Sequence, residues 1–309
     1  MMNKIIIGTR GSELALWQTN FVRDLLQKFF PQLEIEIKIV KTKGDKILDV
    51  PLSKIGDKGL FTKELELKLI EGEIDIAIHS LKDLETEIDK RLTIGAVTKR
   101  HNVNDVLIAK NKNLSLRNLK PDAKIGTGSL RRKAQLLHLN PNFQIFDLRG
   151  NVPTRIQKFL DSDWDAIILA RAGVERLGLQ NYISSIIPKN LILPAVGQGA
   201  LAVECRKNDL EILRLLSRIN HQKTEIETRA ERSFLRTLEG GCQVPIACFA
   251  KIQKDVLTIE GKILSLDGSL CFHHKITGSI KNPEKLGETL AKKLLKAGAH
   301  EIINEIYKR

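Results

Sequence analysis

Arginine side chains recur just after short apolar segments that predict strands, at points where helices are expected to begin. The segment GTGSLRR carries Arg131 and Arg132, LRGNVPTR carries Arg149 and Arg155, and GTRGSE carries Arg10. Backbone N–H groups at a helix start bind anions, and the helix dipole disfavours cations there by about 0.3–1 kcal/mol. Cations placed against this preference at three separate turns indicate that the turns bind an anion.

The stretch from residue 126 to residue 155 is strongly basic, with five lysine or arginine residues and one aspartate. If the strands before these turns lie in one parallel sheet, both turns fall at the carboxyl ends of strands, where ligands bind. A nucleotide is disfavoured, because Gly126, Gly128 and Ser129 fit neither the dinucleotide-binding nor the P-loop glycine spacing. Taken alone, the GTGSLRR turn also fits a pair of solvated surface arginines, so the identity of the anion stays open.

A carboxylate follows another predicted strand, IDIAIHS, within the sequence HSLKD. Asp83 and its neighbour Lys82 are expected at the carboxyl end of that strand. A carboxylate among cations stays ionised, so Asp83 is better suited to stabilising a developing cation than to donating a proton. Taken alone, a Lys–Asp surface pair explains the segment at least as well.

A cysteine lies in the loop sequence EGGCQVP, after a predicted helix and before a proline. This loop can present the thiol of Cys242 for chemistry, although a helix C-terminus does not lower a thiol pKa. Without context, a buried structural cysteine is the better explanation. The four cysteines form no C-x-x-C pair, so neither a disulfide framework nor a metal site is predicted.

The elements expected to position these turns alternate between short strands and amphipathic helices. Leu14, Trp17, Phe21 and Leu25 recur at helical spacing and predict the buried face of a first helix. Apolar runs such as IIIG, IDIAIHS and DAIILA predict buried strands. The alternation predicts an α/β fold built on parallel sheets.

The last part of the chain, from about residue 218, follows a different pattern. A long helix closed by Gly240 and Gly241 precedes three predicted strands, and Asp267-Gly268 predicts a hairpin between the last two. A final helix is expected from about Pro283 to the end. This segment predicts a small α+β unit, and the 309 residues together predict two or three domains.

The net charge of +13 permits binding of nucleic acid, an anionic surface or acidic small molecules. No basic stripe interleaved with aromatic residues supports a nucleic-acid partner. No apolar run approaches the roughly 18 residues of a membrane span, and the N-terminal isoleucines are too few for a signal peptide. We therefore expect a cytoplasmic protein with no nucleic-acid or membrane partner.

Taken together, these segments resemble the porphobilinogen deaminase family, also called hydroxymethylbilane synthases. The matching stretches are TRGSELALWQ, GDKGLFTKELE, HSLKD, GTGSLRR, LRGNVPTR, LARAGVERLG, PAVGQGALAVECR and EGGCQVP. They appear in the family's order and cover residues 8 to 246, whereas the remainder matches only in general pattern. GTGSLRR, LRGN and EGGCQVP at these separations are highly specific.

The resemblance implies an enzyme that condenses four porphobilinogen molecules head to tail, releasing ammonia each time, and then releases the linear tetrapyrrole by hydrolysis. The chain grows on a dipyrromethane cofactor held by a thioether to the loop cysteine, here Cys242. Porphobilinogen carries an acetate and a propionate, so the growing chain is a polycarboxylate. By position, Asp83 is implied to be the catalytic carboxylate that stabilises the azafulvene-like cation left after ammonia departs.

The resemblance also implies three groups of binding residues. The cofactor-binding positions are Cys242, Lys82, Asp83, Thr127, Ser129, Arg131, Arg132, Arg149 and Gln198. The substrate-binding positions are Arg10, Ser12, Arg149, Arg155 and Arg176. The active-site loop positions are Lys54, Lys58 and Phe61, where the aromatic ring is expected to stack on a pyrrole. The chain departs from the family pattern at Leu84-Glu85, where Val-Pro is frequent, and at Gly128, where serine is common.

The fold implied by the resemblance has two α/β domains like type II periplasmic binding proteins and a small α+β domain, with the active site between the first two. Domain 1 is expected to comprise residues 1–99 and 195–217, domain 2 residues 100–194, and domain 3 residues 218–309, with Arg100 and Gly197–Gly199 as hinge positions. A monomer is expected. The alternative is a non-enzymatic anion-binding protein of the same two-domain fold, which explains the arginine turns but not HSLKD or EGGCQVP.

Overall fold

Two five-stranded sheets and one three-stranded sheet form the framework of residues 3–46, 59–238 and 244–307, the part of the chain that the computed structural model describes. The strands are β1 (Lys4–Thr9), β2 (Glu34–Ile39), β3 (Ile76–Ser80), β4 (Leu92–Val97), β5 (Asp105–Ala109), β6 (Lys124–Gly126), β7 (Gln144–Phe146), β8 (Ala166–Ala170), β9 (Ser185–Ile186), β10 (Leu201–Arg206), β11 (Ile246–Gln253), β12 (Val256–Leu264) and β13 (Cys271–Ser279). The helices are α1 (Glu13–Phe29), α2 (Lys43–Lys46), α3 (Lys63–Ile70), α4 (Leu130–Leu139), α5 (Val152–Leu160), α6 (Arg171–Arg176), α7 (Leu210–Ser217), α8 (Gln222–Thr237), α9 (Pro283–Leu294) and α10 (His300–Tyr307).

Contacts between residues divide the chain into two units. The described residues of the first unit are 3–46, 59–101 and 199–225, and those of the second are 102–198 and 226–307. The predicted mixed α/β class with a small C-terminal α+β part is confirmed. The division into three domains stays a prediction. No helix of the described residues is long and apolar enough to cross a membrane.

The first unit is built on the sheet β2-β1-β3-β10-β4. Strands β1, β2 and β3 run parallel, and β10 runs antiparallel to both β3 and β4. The core includes Ile5, Ile7 and Ile78 from the sheet, together with Val22 and Leu26 from α1. The carboxyl ends of β1 and β3 therefore lie at the same edge of the sheet.

Helix α1 buries a face about one position further along the chain than the predicted stripe. The buried side chains are Gln18, Thr19, Val22 and Leu26, whereas the predicted Leu14, Trp17, Phe21 and Leu25 are only partly buried. The predicted helix is confirmed, and Phe21 and Leu25 pack against the core, but two of the fully buried positions are polar and a hydrophobic pattern does not count them. The rings of Trp17 and Phe21 instead stack on each other, with centroids 5.4 Å apart.

The second unit contains the sheet β7-β6-β8-β5-β9 and the antiparallel sheet β11-β12-β13. Strands β6, β7 and β8 run parallel, and β5 runs antiparallel to β8. The three C-terminal strands and the hairpin at Asp267-Gly268 agree with the prediction. The predicted final helix is wrong as a single element, because Gly298 adopts a φ of 114° and interrupts it between α9 and α10.

Both five-stranded sheets depart from the predicted parallel architecture, because each also contains antiparallel strands. Leu201, the first residue of β10, pairs with Ser80 at the end of β3. Asp105, the first residue of β5, pairs with Ala170 at the end of β8. Each of these strands thus begins where its antiparallel neighbour ends, and strand direction leaves no trace in an alternating hydrophobic pattern.

The hairpin turn between β12 and β13 packs against helix α4. The ring Nδ1 of His138 donates a hydrogen bond to the carbonyl of Gly268 at 2.9 Å. Gly268 has a φ of +72°, and a Cβ there would lie 2.5 Å from the backbone nitrogen of His138. This glycine is therefore required both by its backbone conformation and by the close approach of the helix.

We expect the substitution Gly268→Ala to lower the free energy of unfolding more than Gly178→Ala does. Gly178 has a similar φ of +70°, but a Cβ at that position meets no atom within 4 Å. Gly178→Ala should cost about 1–2 kcal/mol through backbone strain alone, and Gly268→Ala should cost about 1–3 kcal/mol more through overpacking. Urea unfolding of both variants measures the difference, and equal losses would contradict the packing of the hairpin on α4.

Candidate functional site

At the carboxyl edge of the first sheet, β1 is followed by Arg10 and Ser12, and β3 by Lys82 and Asp83. Ser12 is the N-cap of α1, as predicted, and its hydroxyl accepts a hydrogen bond from the N–H of Ala15 at 3.3 Å. Because β1 and β3 are parallel neighbours, the two turns emerge from the same edge. The sheet therefore brings these two sequence-predicted segments to one side of the first unit.

The turn Leu81–Asp83 is fixed at both ends and exposed in its middle. Leu81 and Leu84 are buried in the core, while Lys82 and Asp83 are exposed. The N–H of Leu81 donates to the carbonyl of Ala200 at 3.0 Å, which ties the turn to the neighbouring chain. The alternation of buried leucines and exposed charged residues presents the Asp83 carboxylate outward on a rigid support.

Arg10 stacks on the ring of Phe61. The guanidinium carbon lies 4.1 Å from the ring centroid, a distance at which the cation is attracted by the aromatic face. The ring also contacts Gly44, where a Cβ would lie 2.2 Å from Phe61 Cε1. Two residues predicted to bind the substrate are thus in contact with each other, whereas Lys54 and Lys58 lie outside the described residues.

In the second unit, the turns after β6, β7 and β8 also share one edge, because these strands are parallel neighbours. Arg131 and Arg132 lie in the first turn of α4, as predicted. Their side chains are only 6% and 5% exposed, so the alternative of a solvated surface pair is wrong. The two guanidinium groups are held inside the unit at the helix start.

A buried carboxylate, Asp105, binds both guanidinium groups. Its Oδ2 lies 2.9 Å from an Nη atom of Arg131, and its Oδ1 lies 2.8 Å from an Nη atom of Arg132. The other Nη of Arg131 donates to the carbonyl of Leu193 at 2.8 Å, and that of Arg132 to the carbonyl of Ile168 at 3.0 Å. The anion that was predicted to bind these arginines is therefore, in part, the Asp105 carboxylate of the protein itself.

The charges of this cluster do not balance. Two guanidinium groups face one carboxylate, which leaves one net positive charge among buried atoms. Burial raises the pKa of Asp105, but the charges of Arg131 and Arg132 outweigh burial, so its pKa lies below the ordinary value and the group is ionised. The Nε of Arg132 is buried and has no hydrogen-bond partner among residues 3–46, 59–238 and 244–307.

Gln198, predicted to belong to the same shell, joins the Asp105 cluster. Its Nε2 donates to Asp105 Oδ1 at 3.0 Å and to the carbonyl of Val103 at 2.6 Å. Thr127 and Ser129 lie in the turn before α4, where the Thr127 hydroxyl accepts from the N–H of Ser129 at 3.3 Å. The GTGSLRR turn and the Gln198 segment are therefore connected through buried hydrogen bonds.

Gly128 packs against the neighbouring LRGN turn. A Cβ there would lie 2.7 Å from the carbonyl oxygen of Leu148 and 3.2 Å from Oδ1 of Asp147. A serine at this position would require the turn to move. The two turns therefore pack too closely at Gly128 for a side chain there.

The other arginines predicted to belong to the site in the second unit lie on α5, on α6 and in the turn before α5. Asn151 is the N-cap of α5, as predicted, and accepts from the N–H of Thr154 at 2.8 Å. Arg155 donates from Nε to the carbonyl of Gly150 at 2.6 Å. One Nη of Arg149 is buried without a hydrogen-bond partner in the described part of the chain. Burial lowers the pKa of Arg176 to about 10, so the guanidinium still carries its charge at neutral pH.

Asp105 is the site residue that the sequence analysis missed. It is the first residue of the apolar strand DVLIA, and it is completely surrounded by protein. A charged residue at the start of a buried strand must be paired, and the arginine-rich turn of this unit contains side chains of the opposite charge. That signal is present in the sequence but does not say which arginine is the partner. Cys242 lies outside the described residues.

Comparison with known proteins gives one consistent result. Residues 5–214 match the family model "Porphobilinogen deaminase, dipyromethane cofactor binding domain", and residues 225–296 match "Porphobilinogen deaminase, C-terminal domain". The chain is 52% identical over 307 residues to the porphobilinogen deaminase of Syntrophomonas wolfei, covering 99% of this chain and 100% of that protein. It is 51% identical over 312 residues to the porphobilinogen deaminase of Chlorobium phaeobacteroides, covering 100% and 99%. Among solved structures, a methionine-binding protein, MetQ, matches with a TM-score of 0.45 and 13% identity, over 70% of this chain and 90% of that one.

We expect Asp105→Asn to destabilise the protein strongly. The substitution leaves the guanidinium groups of Arg131 and Arg132 buried without a compensating charge, which should cost about 3–5 kcal/mol. Asp163→Asn is the matched control, because Asp163 pairs with Lys124 at an exposed position of the same unit. The control should unfold at the same urea concentration as the parent chain. Equal midpoints for all three proteins would contradict the role of Asp105.

The parent chain and Asp105→Asn should also differ in how their free energy of unfolding depends on pH. Because the pKa of Asp105 is lower in the folded chain than in the unfolded chain, its contribution is complete above about pH 4 and is lost as the pH falls through the folded-state value. The free-energy difference between the parent chain and Asp105→Asn should therefore shrink on acidification below about pH 4. A difference that stays constant down to pH 2 would contradict this assignment.

Proposed function

Because this chain belongs to the porphobilinogen deaminase family, we propose that its arginine turns hold the carboxylates of a growing oligopyrrole while Asp83 serves the condensation. The chain is a transferase of tetrapyrrole biosynthesis that acts as a hydroxymethylbilane synthase. It contains the family's dipyrromethane cofactor-binding domain. The assignment of individual residues to cofactor, substrate and chemistry is our proposal, and it rests on the site geometry.

One observation carries the proposal. The buried Arg131–Asp105–Arg132 cluster keeps one unbalanced positive charge, and Arg132 Nε has no hydrogen-bond partner in the described part of the chain. Dipyrromethane bears acetate and propionate groups, and a carboxylate matches both the charge and the free donor. Arg149 offers a second buried nitrogen without a partner among the described residues. The donor set therefore fits a polycarboxylate cofactor, and Arg131, Arg132 and Arg149 would hold it, with Thr127, Ser129 and Gln198 beside them.

When bound, the dipyrromethane would supply the terminal pyrrole carbon to which the first substrate is joined. Cys242 would carry it through a thioether, as the loop sequence EGGCQVP supports. Among the described cysteines, Cys205 and Cys248 are buried, and burial raises the pKa of Cys205 to about 12. A buried thiol with such a pKa is a poor nucleophile at neutral pH, so Cys205 does not compete for this role.

Asp83 would stabilise the cation that forms when ammonia leaves porphobilinogen. Its carboxylate is exposed on a turn whose flanking leucines are buried, so it can approach the pyrrole N–H groups without rearrangement of the turn. Preorganised charge of this kind lowers a barrier because no reorganisation is needed when charge develops. Lys82, its neighbour, would bind a carboxylate of the cofactor.

The carboxylates of porphobilinogen would be bound by five residues: Arg10, Ser12, Arg149, Arg155 and Arg176. The stack of Arg10 on Phe61 supports a linked role for these two residues, since a pyrrole on the ring and a carboxylate on the guanidinium belong to one substrate molecule. Lys54 and Lys58 would belong to the same loop. We further propose that the enzyme is a cytoplasmic monomer of three domains and has no nucleic-acid partner.

The intact mass of the purified protein tests cofactor attachment. We expect a denatured mass higher than the sequence mass by two pyrrole units, and the Ehrlich colour of a dipyrromethane. Cys242→Ser should lose both signals, because the thioether cannot form. Cys271→Ser, a change at a half-buried cysteine outside the loop, should keep both. A Cys242→Ser protein that retains the extra mass would sink the attachment proposal.

Ammonia release tests the role of Asp83. Asp83→Ala should lose at least about a hundredfold in kcat, the usual cost of removing a preorganised charge, while the mass still includes the cofactor. Asp89→Ala changes another carboxylate of the same unit, one paired with Arg91 at the surface, and should leave kcat unchanged. Near-normal turnover by Asp83→Ala would refute the role of this residue.

A further inference from the structure

A buried pair of ionisable side chains lies just before the turn that carries Asp83. His79 is 5% exposed and Glu204 is 0% exposed. The Nε2–H of His79 donates to Oε2 of Glu204, and the two atoms are 3.0 Å apart. Burying such groups is costly unless they are paired, so this contact must be kept for the two strands to stay in place.

The strand register explains why the two side chains meet. His79 is opposite Ala202 and Glu204 is opposite Ala77, so both side chains project from the same face of neighbouring strands β3 and β10. His79 is four residues before Asp83, with Ser80 and Leu81 between it and the exposed turn. A short stretch of backbone therefore joins the buried His79 to the exposed Asp83.

Glu66 adds a second carboxyl group near the His79–Glu204 pair. It lies on α3, and burial first, then the charge of Glu204, raise its pKa above the ordinary value. His79 acts in the opposite direction, and Glu85, just beyond the Asp83 turn, adds to the increase. Oε1 of Glu204 is buried and has no hydrogen-bond partner within the described part of the chain. Two carboxyl groups thus lie close enough to one imidazole for their charges to interact with it.

The other face of β3 is held independently. The side chain of Ser80 points away from His79, and its hydroxyl accepts a hydrogen bond from Nε2 of Gln18 on α1 at 2.9 Å. The end of β3 is therefore fixed by one polar contact on each face. Of these two contacts, the one through His79 joins ionisable side chains, whereas the one through Ser80 joins two neutral side chains.

We propose that His79 and Glu204 are positioning residues for Lys82 and Asp83, because their buried contact fixes the end of β3, and that the charge of Glu66 on the adjacent helix α3 acts on this pair. The proposal rests on the proposed role of Asp83. The cluster does not touch the substrate. It acts by fixing the end of β3, and a displacement of about 1 Å at a reacting group can reduce the rate about a hundredfold.

The structure supplies a matched control on the same two strands. Asp75, immediately before β3, binds Arg206, the last residue of β10, with an Oδ1–Nη2 distance of 2.9 Å. This ion pair joins β3 and β10 at the ends remote from the Asp83 turn. Asp75→Asn therefore weakens the association of these strands without altering the contact next to the turn.

The experiment compares kcat, KM and the pH profile of Glu204→Gln and Asp75→Asn, each checked by mass for a loaded cofactor. Glu204→Gln should reduce kcat about tenfold to a hundredfold, with KM changed less than twofold and the pH profile of kcat displaced. Asp75→Asn should lower the unfolding midpoint but keep kcat and the pH profile. Equal effects of the two variants on kcat, or an unchanged kcat in Glu204→Gln, would overturn the proposal.

Glu66→Gln keeps the proposal testable if Glu204→Gln does not fold. This variant leaves the His79–Glu204 contact intact and removes the carboxyl group whose pKa is raised. As the pH rises through that pKa, the parent chain gains a second negative charge near Glu204, and Glu66→Gln does not. The pH profile of kcat for Glu66→Gln should therefore lack one step that the parent profile shows on the acid side. Identical profiles for the two proteins would overturn the proposal.

Asp83→Ala measured in parallel separates the two claims. If Asp83→Ala keeps its turnover, the proposed role of Asp83 fails whatever the buried cluster does. If Asp83→Ala is inactive and Glu204→Gln is normal, only the positioning proposal fails.

Discussion

The rest of the site depends on one interaction, the binding of two buried guanidinium groups by the carboxylate of Asp105. An arginine that is only 6% exposed needs a hydrogen-bonded anion, since an isolated buried charge is strongly destabilising. Asp105 satisfies one Nη on each of Arg131 and Arg132, and two backbone carbonyls satisfy the others. The same carboxylate accepts from Gln198, so strand β5, helix α4 and the segment before β10 are held by one side chain.

This arrangement explains how arginines can stand at the start of a helix. The dipole of α4 disfavours cations at its first turn, and Asp105 offsets that cost with one negative charge. A second negative charge is still favourable there, because two cations face one anion. The protein thus keeps its arginines folded in place without a ligand and still leaves one charge and one nitrogen for the carboxylate of a cofactor. Preorganisation of this kind lowers the cost of binding.

The parts of the fold that depend on local pattern could be predicted from sequence. The N-caps Ser12 and Asn151, the hairpin at Asp267-Gly268 and the strand before Asp83 all follow from residue type and spacing. The antiparallel direction of β10 could not, because it depends on which sheet edge the chain reaches when it returns. The burial of Gln18 on α1 could not be predicted either, because its side chain hydrogen-bonds to Ser80 and a hydrophobic pattern does not count it.

The residues of the candidate site could likewise be predicted from sequence only in part. GTGSLRR, LRGN and HSLKD identify the arginines and Asp83 without any structure, since these residues lie on short contiguous motifs. Asp105 and Glu204 were missed because their partners are distant in the chain, at Arg131 and His79. Both are charged residues in apolar strands, which signals a buried pair but does not identify the partner. Long-range pairing of this kind is visible only once the sheets have been assembled.

A crystal structure of the cofactor-loaded protein tests the central claim most directly. The account predicts that Asp105 keeps its contacts with both guanidinium groups and that a cofactor carboxylate lies within about 3.2 Å of Arg132 Nε. A loaded structure in which the cofactor carboxylate displaces Asp105, or in which a protein side chain occupies Arg132 Nε, would contradict it.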